Sequence, residues 1–138
     1  MSAPFVPLNP FESILVQAQT GDADIRVVIT ALIEAELAVP SGEEVMQDGS
    51  GFQPLLFPKE DVQMVACFTD RSRFGEFAAM APYCLMLNGG DFLRRLPPGY
   101  GLVVNPGQSI GFDVSPDGIA RIVCMATVAA WLWRRPEP

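Results

Sequence analysis

The sequence predicts an α/β (α+β) fold, a single domain over residues 1–138 with a mixed β-sheet packed by several helices. Three observations carry that expectation. Ile25, Val28, Ile29, Leu32 and Ile33 recur at the i, i+3, i+4, i+7, i+8 spacing of one helix stripe. Met64 to Phe68 is apolar at every position, the pattern of a central strand buried on both faces. Helical and strand-length segments then succeed one another along 138 residues, one domain's length, with no linker or internal repeat between them.

Taken in order, Met1 to Leu8 is punctuated by prolines and expected to be loosely held. Asn9, Pro10 and Glu12 form a helix start: a capping side chain, a proline at the first helical position, and an acid reaching back. That helix is expected to run to Gln19 and stop at Gly21. Asp22 is the expected cap of the second helix, which carries the stripe. Leu37 to Pro40 reads as a short strand and Ser41 to Gly51 as a polar, acidic loop or a wide hairpin connection. Phe52 to Phe57 reads as an edge strand, because Pro54 and Pro58 cannot donate to a ladder. Gln63 to Thr69 is the buried strand, followed by a helix from Arg71 to Met80 that sets Phe74 and Phe77 on one face. Tyr83 to Leu87 is of strand length, and Asn88 to Leu96 is a short helix ended by Pro97, Pro98 and Gly99. Gly101 to Val104 is a strand, Asn105-Pro106-Gly107 a turn, and Ser109 to Val114 another strand. After Ser115 the pattern fits either a helix begun by Pro116 or a hairpin strand turned at Pro116-Asp117-Gly118. Its length favours the helix.

Composition excludes several partners and chemistries. The net charge is −7, with one lysine and eight arginines against sixteen acids, so generic binding to nucleic acid or anionic membrane is disfavoured. Seven of the acids fall between Glu34 and Asp61, a solubilising surface that can also meet a basic partner. No transmembrane helix is expected, since Ile122 to Trp133 would span about 18 Å of the roughly 30 Å hydrocarbon core. Cys67, Cys84 and Cys124 are odd in number, widely spaced and set among apolar residues. With no leader-like start, they point to a reducing, cytoplasmic location. Histidine is absent, which removes the commonest general base and most catalytic zinc sites. No phosphate-binding or dinucleotide-binding motif is present, and the expectation is a non-enzyme with no cofactor and no metal.

Several segments, in order, carry a family likeness: Leu37-Ala38-Val39-Pro40, Gln53-Pro54-Leu55-Leu56-Phe57, Cys67-Phe68-Thr69-Asp70, Asn88-Gly89-Gly90-Asp91-Phe92-Leu93 and Gly101-Leu102-Val103-Val104-Asn105-Pro106-Gly107. Over about residues 10–125 the chain resembles the SseB N-terminal domain family. The resemblance implies a bacterial cytoplasmic α/β domain and carries no catalytic residue or cofactor with it.

Three places remain as candidate sites. Thr69, Asp70 and Arg71 set a hydroxyl, a carboxylate and a guanidinium at the end of the buried strand, where α/β folds often bind ligands. The competing reading is a plain helix cap. Asn105 sits in a rigid turn that either only turns the chain or presents its amide to a partner. Trp131 and Trp133, followed by Arg134 and Arg135, have the composition of an interaction hot spot, and of ordinary core as well. The leading expectation is a protein–protein interaction or adaptor domain, with an unknown protein partner and a homodimer through the C-terminal segment as one form of it. Two alternatives stand beside it. One is a small-ligand-binding protein or enzyme using Asp70, Arg71 and Asn105, with Glu76 as a second carboxylate. The other is an immunity-like antagonist whose acidic stretch covers a basic surface.

Overall fold

A computed structural model of the chain describes residues 5–47 and 50–133, with side chains described as far as Cys124. Helix α1 spans Pro10–Gln19, opened by Asn9, whose side-chain oxygen accepts from the Glu12 N–H at 2.8 Å. Helix α2 spans Ile25–Glu34 and is capped by Asp24, not by the expected Asp22. Gly21, at φ 87, ends α1, and the chain then needs two more residues of turn before it can start again. Val28 and Leu32 of the stripe are buried, whereas Ile25, in the first turn, stands exposed.

Strands β1 (Glu36–Ser41) and β4 (Tyr83–Asn88) form an antiparallel pair. Strands β2 (Leu56–Lys59), β3 (Val62–Cys67), β5 (Gly101–Val104) and β6 (Phe112–Val114) form a second sheet in that order, with β3 and β5 parallel and the other pairs antiparallel. The expected mixed sheet is therefore present in two parts. They are joined at Ala38 and Phe68, which exchange backbone hydrogen bonds of 2.9 and 2.8 Å, and by a bridge from Ser41 to Pro54. Pro40 and Pro54 each lack an N–H, so a continuous ladder cannot form where these segments meet.

Strand β2 starts four residues later than expected, because it is one arm of a tight hairpin. Lys59 pairs with Val62 across Glu60 and Asp61, which both take left-handed backbone, at φ 49 and 69. That is the geometry of a two-residue hairpin turn, here built without glycine or asparagine.

The helix expected from Arg71 to Met80 is instead two 3-10 turns, Arg71–Arg73 and Gly75–Ala79. Gly75 lies at φ 57, a conformation no α-helix can contain, and it divides the segment. Phe74 and Phe77 still share a face and pack on Phe68, at centroid distances of 4.8 and 6.2 Å.

Helix α3 (Gly89–Arg95) is capped by Asn88, and helix α4 (Pro116–Trp133) bears out the helical reading of the last segment. The Ser115 hydroxyl accepts from the Gly118 N–H at 3.0 Å at its start. Among the described residues no helix is long and apolar enough to cross a membrane.

The strands divide two apolar clusters. Leu37, Val39, Val65, Cys67, Leu102 and Val104 meet Phe11, Leu15, Leu32, Phe92 and Ile119 from the helices. Ala38, Ala66 and Phe68 meet Phe74 on the opposite face, where the two alanines make room for the tilted pair of rings.

Candidate functional site

Because β3 and β5 are parallel neighbours, their C-terminal ends stop side by side, and the Asn105 N–H continues the ladder onto Cys67 O at 2.9 Å. Thr69 and Asn105, two of the residues singled out from the sequence, are thereby placed in contact, both buried. Asn105 Oδ1 accepts from the Thr69 N–H at 3.0 Å. Its Nδ2 donates to Thr69 Oγ1 at 2.9 Å and to Ile110 O at 3.1 Å. The left-handed backbone of Asn105, φ 57, turns the amide inward, so the asparagine–proline–glycine turn closes on the fold itself.

The centre of this cluster is Glu12, in the first turn of α1 and wholly buried. Arg73 Nε donates to Glu12 Oε2 at 3.0 Å and Nη2 donates to Oε1 at 2.7 Å, a bidentate pair. The Thr69 hydroxyl donates to Oε2 at 2.5 Å, and the Leu8 N–H donates to Oε1 at 2.8 Å. Burial by itself raises the Glu12 carboxyl. The hydrogen bonds from Arg73, Thr69 and Leu8 outweigh burial and hold it below the ordinary value of 4.5. Arg73 also donates to Val6 O at 2.6 Å and lies over the Phe5 ring, 3.8 Å from its centroid, so the segment before α1 is held by the same guanidinium. Asn9 completes the knot by donating from Nδ2 to Thr69 O at 2.7 Å.

Asp70 and Arg71 take no part in the knot. Asp70 caps the first 3-10 turn, accepting from the Ser72 N–H at 3.0 Å and the Ser72 hydroxyl at 2.7 Å, and these bonds hold its carboxyl below its usual range. Arg71 is exposed. Thr69 and Asn105 are thus brought together, while Asp70 and Arg71 face outward. Trp131 and Trp133 lie on α4, their side chains outside the described residues, as are Arg134 and Arg135 altogether. Glu12 and Arg73 are what sequence reasoning missed. Glu12 was explained by its place in a capping motif, and Arg73, 61 residues away, has no local pattern that marks it as its partner.

Two grooves lie at the surface near β4. One, of about 470 Å³, is lined by Phe11, Ile14, Glu34, Glu36, Asp70 and Met86. The other, of about 430 Å³, is apolar and lined by Phe52, Leu56, Val65, Leu85, Leu87 and Phe92, with Arg95 at its side. Neither brings together a nucleophile, a base and an oxyanion donor, and among the described residues no group of three or more metal-ligating side chains occurs.

Fold and site together define an α+β domain whose strand ends are locked by an internally satisfied polar knot. The chain belongs to the SseB protein N-terminal domain family, whose family model matches residues 12–121. Neither a curated protein nor a solved structure matches it. The matched segment begins at Glu12, and it contains Thr69, Arg73 and Asn105 as well.

Proposed function

We propose that this chain is a non-catalytic protein-interaction domain that works through its surface in the reducing cytoplasm. The observation that carries the reading is the saturation of the polar knot. Glu12 accepts four hydrogen bonds, and among the described residues no buried side-chain nitrogen or oxygen lacks a partner. A group that serves substrate keeps a donor or acceptor free for it, and these are spent on the fold. Exposed apolar side chains support the surface reading: Tyr83 and Met86 on β4, Leu56 on β2, and Met80 in the segment before β4. The cytoplasmic part of the reading is supported by Cys67, a free thiol buried in the apolar core as a small hydrophobe.

The test is capture of the tagged protein's partners at low and raised salt, followed by reconstitution of the complex from purified components. A one-to-one complex that forms with no chemical change in either component is the expected result. Turnover of a small molecule that Asp70→Asn abolishes while the fold survives would overturn the reading in favour of an enzyme or ligand sensor. Asparagine still caps the turn, so the variant separates chemistry from folding.

A further inference from the structure

Strand β4 is an open edge. It pairs with β1 on one side only, and among the described residues no strand lies on its other side. Sheet edges are normally guarded by proline, by charge or by shortness, because a row of free N–H and C=O groups recruits other strands. The other three edge strands carry such guards, and β1 among them holds Glu36 and Pro40 and is bridged to Phe68 and Pro54 on its far side. Strand β2 holds Pro58 and Lys59, and β6 is three residues long and carries Asp113. By contrast β4, Tyr-Cys-Leu-Met-Leu-Asn over six residues, contains neither proline nor charge, and Tyr83 and Met86 on it are 43% and 40% exposed.

The surfaces on the two faces of this edge differ in chemistry. Leu85 and Leu87 open onto the apolar groove with Phe52, Leu56 and Phe92. Met86, on the opposite face, opens onto the groove that carries the carboxylates of Glu34, Glu36 and Asp70. Side chains of an added strand alternate between the same two faces. Lysine or arginine on that strand would reach toward Glu36, which lies on β1, two strand spacings of about 4.8 Å away.

We propose, resting on the protein-interaction reading above, that β4 receives an extended segment of a partner protein as an added strand, one that alternates apolar with basic residues. Main-chain hydrogen bonds to β4 supply the affinity. The apolar groove and the carboxylates read the alternate side chains. Charge separates this occupant from a second copy of the chain, since two copies at −7 each repel and bring no basic strand to the carboxylates.

The experiment is selection of a random phage-displayed peptide library on the immobilised full chain. Synthetic copies of the selected peptides are then N-methylated on one or the other alternate set of backbone amides. The expected result is sequences of period two in apolar and Lys/Arg residues. Methylation of one set should weaken binding by at least about tenfold and methylation of the other should leave it unchanged, the signature of a strand with one edge on the protein. Glu34→Gln with Glu36→Gln should weaken the same peptides and flatten their salt dependence. Selected peptides without alternation, or indifferent to methylation of either set, would overturn the proposal. So would a failure to select any peptide, or a dimer in sedimentation that Met86→Lys dissolves, which would give the edge to a second copy. A captured partner that binds without displacing the selected peptides would overturn the edge assignment alone and leave the protein-interaction reading standing.

Discussion

Replacing Arg73 by methionine removes two of the four hydrogen bonds on a carboxylate with no exposed surface, together with the counter-ion in contact with it. The Leu8 N–H and the Thr69 hydroxyl remain. Breaking a buried ion pair from one side costs about 3–5 kcal/mol, because the remaining charge is buried without its partner. The Arg73 side chain is 15% exposed, so water reaches the edge of the pair and the low end applies, about 3 kcal/mol. For a chain of this size that lowers Tm by roughly 10 °C. The pH dependence gives the sharper signature. In the wild type Glu12 is held below 4.5, so its contribution is present above that pH and is lost as pH falls through the lower folded value. Without Arg73, its hydrogen bonds and its charge no longer oppose burial, and the folded carboxyl moves up from its wild-type value. Its penalty is then greatest near neutral pH and relieved as pH falls through the raised value. Urea denaturation of the two proteins at about pH 7 and about pH 5 should show the stability gap narrowing in acid. A gap below about 1 kcal/mol, or one that is equal at both pH values, would refute the reasoning.

Two further substitutions probe the backbone. Asp61→Gly relieves a left-handed residue at φ 69 in the hairpin turn and should raise the unfolding free energy by about 1 kcal/mol, read as a higher urea midpoint with the m-value unchanged; a lower midpoint would show that Asp61 is not strained there. Gly89→Ala would set a Cβ 1.8 Å from the Leu32 carbonyl oxygen, where α3 abuts the end of α2, and should cost about 3 kcal/mol in the same assay; a loss under about 0.5 kcal/mol would mean that the two helices separate without penalty.

The α+β class, all four α-helices and the edge position of β2 were legible in the sequence because each rests on local chemistry. Asn9 with Pro10, and Ser115 with Pro116, mark helix starts whatever lies elsewhere. The hairpin at Glu60-Asp61 was not legible, since it lacks the glycine or asparagine that marks such turns and Glu60 is of a type that ordinarily avoids left-handed backbone. The break in the helix after Asp70 rests on Gly75, and an isolated glycine in a helical pattern is as often tolerated. For the site, Thr69 and Asn105 were visible as polar residues at strand ends, and β3–β5 pairing brings them together. Their purpose was not visible, because it depends on Glu12, which lies 57 residues before Thr69 and 61 before Arg73 in the chain. Asp70 and Arg71 adjoin Thr69 in sequence, but Asp70 caps the turn and Arg71 is exposed.

The central claim is that the polar knot holds the fold and the surface does the binding. The most direct test uses the partner obtained by capture and the paired replacement Glu12→Leu with Arg73→Met. Exchanging both members of the pair for apolar residues leaves no unpaired buried charge, so the double variant should be less stable than the wild type but more stable than Arg73→Met alone, and its binding is measured where it remains folded. The account predicts a Kd within about threefold of the wild type by calorimetry, a difference under about 1 kcal/mol. A folded double variant that loses the partner by more than about tenfold would contradict the account and make the knot part of the binding site.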